Sequence, residues 1–157
     1  MPSLCEHCTA GAIVRVRECL ERGLAPGELA AYNARGNTCL HEASSSASGG
    51  DRRAAEMVAL LVRDGGADVA QLNRNGEPAL VLAARANFPA TVRALVFNLG
   101  ADPDQGCTAS GWTALHAVAA AAGSTAGLDG MARALLSVGA SPDARDREGR
   151  RPVDLAR

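Results

Sequence analysis

The chain has 157 residues, with 16 Arg and no Lys, 17 acidic side chains and a formal charge of −1. At about 150 residues per domain this is one domain, long enough to bury roughly 70% of its unfolded surface without disulfide staples. The balanced charge argues against a nucleic-acid or membrane-surface protein, and no apolar run approaches the ~18 residues that span a bilayer.

Composition narrows the setting further. Met1 to Cys8 offers neither a basic start nor an apolar stretch, so no signal peptide is expected. Five Cys without framework spacing fit a reducing compartment, and a cytoplasmic or also nuclear monomer is expected. Ala is abundant at 33 residues and Ile occurs once, as Ile13, a bias that tracks GC-rich codons. Without Lys, only the N-terminal amine can take ubiquitin through an amide bond.

In chain order, residues 2–23 carry Leu4-Cys5, a turn at Gly11, then Val16 and Cys19-Leu20 before Gly23. Residues 33–67 form the first complete unit. Gly36 suits a turn needing positive φ, and Thr38 suits an N-cap. A short helix follows, then a second helix with Leu60-Leu61 on one face, and Gly66 where a left-handed C-cap belongs. Residues 73–102 repeat the plan with Gly76, Leu95-Val96 and Gly100, and Pro89 fits the first turn of their second helix. Residues 108–141 repeat it again with Gly111, Thr113, Leu135-Leu136 and Gly139. Residues 146–157 begin one more copy at Gly149, a half-repeat that either caps the array or marks a piece of a longer protein. The joins from Ala43 to Ala54 and from Ala119 to Met131 are long and rich in Gly, Ser and Ala, and are expected to be mobile.

Three blocks carry a resemblance: Gly36-Asn-Thr-Cys-Leu-His-Glu-Ala43, Gly76-Glu-Pro-Ala-Leu-Val-Leu-Ala83 and Gly111-Trp-Thr-Ala-Leu-His-Ala-Val118. Each is followed by a Leu-Leu-like pair and Gly-Ala, and together they resemble the ankyrin repeat. The resemblance implies an all-α ankyrin-repeat solenoid of stacked helix-turn-helix units joined by β-hairpin-like loops. Residues 2–23 become an N-terminal capping repeat, with Arg15, Arg17, Glu18, Glu21 and Arg22 as its polar outer face. The motif's Pro is replaced by Cys39, Ala79 and Ala114, and its His is kept only at His41 and His116. There the resemblance implies a structural role, bonding the neighbouring hairpin. The irregular joins and the composition also resemble poxvirus ankyrin-repeat proteins, with secreted bacterial effectors as a competing source. The family's asparagine-hydroxylation place holds Ala70, Asp104 and Asp143, so that modification is not expected.

The function implied is non-catalytic binding of a partner protein in the concave groove of hairpin tips and first helices. The family's variable groove places carry over to Tyr32, Arg35 and Asn37, then to Arg74, Asn75, Glu77 and Arg85, then to Ser110 and Trp112, and last to Arg147 and Arg150. Tyr, Trp and Arg dominate binding hot spots, and the Arg excess suits an acidic or polar partner face. A viral host-interaction protein is expected. Narrower readings are a substrate-recruiting arm of a ubiquitin ligase, its F-box segment missing or removed, and a transcription-factor-masking inhibitor of the nuclear factor κB inhibitor type.

A rival of another class is zinc or thiol activity at Cys5, His7 and Cys8. Structural zinc needs four ligands and a lone CxxC supplies two. Cys19 falls in a core stripe, and Cys8 falls where a small apolar residue belongs. Cys39 with His41, or Cys107 with His116, lacks an orienting carboxylate at recognisable spacing. No phosphate loop is present. No enzyme activity, metal or cofactor is therefore expected. Arg145, Arg147, Arg150, Arg151 and Arg157 are interrupted by Asp146, Glu148 and Asp154 and read as a solvated cap face, with no nucleic-acid partner expected.

Overall fold

The computed structural model describes residues 2–45, 48–121 and 128–156, the side chain of Leu128 excepted. Residues 46–47 and 122–127, on which the expected mobility of the two joins falls, lie outside the described residues.

Helices α1 (Leu4–Thr9) and α2 (Ile13–Arg22) pair at the N-terminus. Helix α3 (Cys39–Ser45) pairs with α4 (Gly50–Arg63), α5 (Ala79–Arg85) with α6 (Pro89–Arg93), and α7 (Ala114–Ala120) with α8 (Leu128–Ser137). Helix α9 (Pro152–Leu155) follows the last hairpin and packs on α7. Helices α1, α3, α5, α7 and α9 touch in succession as one row, and α2, α4, α6 and α8 as a second row. No strand occurs among the described residues, only an isolated antiparallel bridge between Leu72 and Pro78. The fold is the all-α solenoid expected of the sequence.

Local chemistry explains the helix starts. Ser3 and Glu6 close a capping box on α1, and Thr113 closes one on α7 with His116 in the place usually held by an acid. Pro89 opens α6, as expected, but the free amides there are met from the neighbouring unit. The Asp51 carboxylate of α4 accepts from the Ala90 and Thr91 amides at 2.7 and 2.8 Å, and from the Thr91 hydroxyl at 2.9 Å. Helix α6 then passes into a π-helical turn over Ala94–Asn98, where the sequence pattern leads one to expect a plain α-helix.

The core runs between the rows. Leu40, Met57, Leu61, Leu95, Met131 and Leu135 are fully buried, each such side chain contributing about 1.5–3 kcal/mol. Ala43, Ala83, Ala84 and Ala117 on the first helices are buried too, so small side chains let neighbouring units approach closely. The Leu-Leu pair does not behave alike at the far end: Leu135 is buried while Leu136 is 46% exposed.

Two turn glycines do more than adopt positive φ. Gly36 has φ +79°, and a Cβ there would stand 2.8 Å from the Cβ of Arg74. Gly76 has φ +72°, and a Cβ there would run into the Thr108 hydroxyl. The next hairpin thus lies directly over each glycine, with its amide bonded to the preceding hairpin: Arg74 to the Gly36 carbonyl at 2.8 Å, Thr108 to that of Gly76 at 2.9 Å.

Candidate protein-binding face

The hairpin tips and the first-helix row share one face, joined by a chain of polar side chains. It begins at Glu42 of α3, whose side chain is only 4% exposed. One carboxylate oxygen accepts from the side-chain amides of Asn33 and Asn37 at 2.8 and 3.0 Å. The other accepts from the Thr9 hydroxyl at 3.2 Å and the Arg35 guanidinium at 3.5 Å. Asn37 in turn accepts from the side-chain amide of Asn73 at 3.0 Å, and Asn73 also donates to Glu77 at 3.2 Å. Glu77 ends the chain in an ion pair with Arg85 at 2.8 Å. Three consecutive units are therefore tied side chain to side chain. Burial pushes the Glu42 carboxyl up, but the hydrogen bonds from Asn33, Asn37 and Thr9, with the Arg35 charge, outweigh it and hold the group below its ordinary value.

Two histidines add a second tie. His41 Nδ1 lies 2.7 Å from the Thr38 hydroxyl, and Nε2 lies 3.0 Å from the Glu77 carbonyl of the next hairpin. A carbonyl only accepts, so Nε2 carries the proton and Nδ1 accepts from Thr38. His116 repeats this with Thr113 at 2.9 Å and the Arg150 carbonyl at 2.9 Å. Burial lowers the His41 pKa, ahead of the opposing bond to Glu77, which agrees with a neutral ring. Both ring nitrogens are committed to structure, so neither histidine stands ready to activate Cys39 or Cys107.

At the far end Asp146 is the hub. Its Oδ2 accepts from the Trp112 indole at 3.2 Å and from Arg150 at 2.9 Å, and its Oδ1 accepts from the Glu148 and Arg150 amides at 2.9 Å. Burial works against its charge, but the bonds from the Arg150 amide and guanidinium prevail and hold its carboxyl below the usual range.

The residues singled out from the sequence divide accordingly. Tyr32, Arg35, Arg74, Asn75, Arg85 and Arg147 are exposed. Tyr32 carries the Arg74 guanidinium 5.3 Å from its ring centroid and donates its hydroxyl to the Leu72 carbonyl at 3.1 Å. Asn37, Glu77, Ser110, Trp112 and Arg150 are half-buried and engaged with their own neighbours. Among the described residues Arg147 makes no side-chain hydrogen bond or ion pair, and it stands on the same edge as Arg74, each over the turn glycine before it.

Sequence reasoning passed over Glu42, Asn33 and Asn73, and took Asp146 only as an acid interrupting the last Arg cluster. A spacing signal was there for three of them: Asn33, Asn73 and Asp146 each stand three residues before a turn glycine. Each turns its Oδ1 to the amides two and four residues on. The third hairpin breaks the register, since Cys107 stands four residues before Gly111 and Ser110 caps the Trp112 amide instead. Gln71 and Gln105 were missed as well. Their side-chain amides reach back to the Ala30 and Ala70 carbonyls of the preceding loops at 3.0 and 2.9 Å.

The rival chemistry at the N-terminus takes another shape than expected. Cys8 is buried, and the Cys5 sulfur meets Cys39. Among the described residues no group of three or more His, Cys, Asp or Glu is placed to hold a metal ion. No helix among them is long and apolar enough to cross a membrane.

Comparison with known proteins agrees with this architecture. A search of curated proteins returns no significant match. The family model for the ankyrin repeat matches at residues 35–74, 75–107 and 110–147, well over half of the chain. With stacked helix pairs, hairpins lying one over the next and three matched repeats, the chain belongs to the ankyrin-repeat family.

Proposed function

We propose that the chain is a non-catalytic binding module that holds a partner protein against its hairpin tips and first-helix row. Ankyrin repeats form protein–protein interaction modules. The observation that carries the reading is the division of labour on this face. Buried polar groups, Glu42, Asn73 and Asp146, are satisfied internally and stiffen the array, while Tyr32, Arg74, Asn75 and Arg147 stay exposed above them. A face already fixed loses little conformational entropy on binding. The exposed tips are rich in Arg, and Glu77 is already paired with Arg85, which favours a partner with an acidic surface.

A viral host-interaction role is a narrower form of the same reading and rests on composition and the long joins. The ligase-arm and masking-inhibitor readings would use this same face, and a cytoplasmic or nuclear setting belongs to the same proposal, supported by five Cys without framework spacing. The test is charge reversal. Arg74→Glu and Arg147→Glu lie at exposed tips, so the fold is expected to persist by circular dichroism. Affinity for captured partners is expected to fall at least about tenfold and to lose its salt dependence. Unchanged recovery of every partner by the double variant contradicts the reading.

A further inference from the structure

Two thiols meet where the N-terminal helix pair joins the first complete unit, with a third on α1. The Sγ atoms of Cys5 on α1 and Cys39 on α3 are 2.6 Å apart, and Cys8, on the same helix as Cys5, is buried. All are free thiols. Cys39 and Cys8 are buried, but Cys5 is half-buried and lines an open cleft with Ser3, Glu6, Thr9, Asn33 and Arg35. The placement has a repeat logic. Cys5 sits at the place that His41 and His116 fill in later units, where a side chain reaches the following repeat. With a shorter side chain there, the reach ends on the next first helix, at Cys39.

We propose that Cys5 and Cys39 are an oxidisable pair, which a low-molecular-weight disulfide such as glutathione disulfide reaches through the cleft and converts to a disulfide between repeats. The Cys5 thiolate attacks one sulfur of glutathione disulfide. That S–S bond breaks, and the departing glutathione takes up the proton Cys5 gave away. The Cys39 thiolate then attacks the Cys5 sulfur of the mixed disulfide and releases the second glutathione, which takes the Cys39 proton. Two protein thiols are oxidised, one disulfide is reduced to two thiols, and no other reactant is needed.

Geometry favours Cys39 over Cys8 as the resolving thiol, because the sulfurs of Cys5 and Cys39 are already in contact and Cys8 points into the core. The hydrogen bond to Cys39 and burial push the Cys5 thiol up. At Cys39 the bond from Cys5 acts downward, but the nearby Cys8 thiol and burial push the thiol up to about 12. Exchange is therefore slow near neutrality and quickens as pH rises. The product ties α1 to α3 and restrains the unfolded chain between them. The exchange does not rest on the binding reading, although Asn33 and Arg35 of the cleft also belong to that face.

The full chain is incubated with excess glutathione disulfide, alkylated and cut with trypsin. The expected product is a linked pair of peptides, Met1–Arg15 with Gly36–Arg52, whose fragments place the bond at Cys5. Two thiols fewer per chain and a raised thermal midpoint that dithiothreitol reverses are expected alongside. Cys8→Ala keeps the link, and Cys5→Ser, at a half-buried position, abolishes it. A bond through Cys8, a lasting glutathione adduct on Cys5 without the link, disulfide-linked dimers, or five free thiols under full oxidant excess each overturn the proposal.

Discussion

Trp112 and Asp146 are bound across a repeat boundary, indole Nε1–H to carboxylate Oδ2, at 3.2 Å. The bond makes the one Trp of the chain a strut between the third hairpin and the last, with part of its ring still open to solvent. Trp112→Phe keeps an aromatic ring, smaller than the indole, and deletes the donor. The thermal midpoint, followed by circular dichroism, is expected to fall by roughly 2–6 °C. An unchanged midpoint contradicts the strut. Loss of partner affinity in a Trp112 variant therefore mixes contact with scaffold, which is why Arg74 and Arg147 are the cleaner probes.

Glu42 is a buried polar group on which several others depend. Its removal leaves the amides of Asn33 and Asn37 without their acceptor. Glu42→Ala is expected to cost about 2–4 kcal/mol in urea unfolding, and Glu42→Gln about half as much, because one amide oxygen still accepts. Equal stability of wild type and Glu42→Ala contradicts the side-chain chain that links the units.

The fold was legible because glycines, Leu pairs and Gly-Ala endings recur in register. The side-chain chain was not, because it depends on pairs far apart in sequence, such as Asn37 with Asn73 and Trp112 with Asp146. Glu42 reads as an ordinary exposed helix acid until Asn33 and Asn37 close over it. Variable groove positions were legible as places but not as states. Arg35 and Arg74 stay exposed, while Asn37 and Arg150 turn inward because each has a neighbour to satisfy it. The Cys5–Cys39 pair was hidden for the same reason, since the eye is drawn to Cys5-x-x-Cys8.

Stability should fall with acid in two steps. His41 is neutral in the fold with its pKa lowered by burial. Its contribution is complete above the unfolded value of about 6.5 and is lost as pH falls toward the lowered folded value. Glu42 and Asp146, both held below the carboxylate range, contribute above about pH 4 and lose this as pH falls through their folded values. The thermal midpoint measured from about pH 8 to about pH 3 should show both declines. His41→Gln should flatten the upper one and leave the lower. An upper decline that survives in that variant contradicts the assignment.

Asp51 is the cap of a helix in the next unit. Asp51→Ala frees the amides of Ala90 and Thr91 at the start of α6. The expected cost is about 1–2 kcal/mol, with faster amide exchange concentrated in α6. Exchange that rises only within α4, the helix that carries Asp51, contradicts a cap across repeats.

If the hairpin-tip face receives the partner, a photoreactive group placed on that face lies within reach of it. A photoreactive side chain replaces Asn75 at a tip in one protein and Glu56 on the exposed side of α4 in another. Adducts to partner protein are expected from position 75 and none from position 56. Adducts from position 56 alone, or equally from both, contradict a partner seated on the tips.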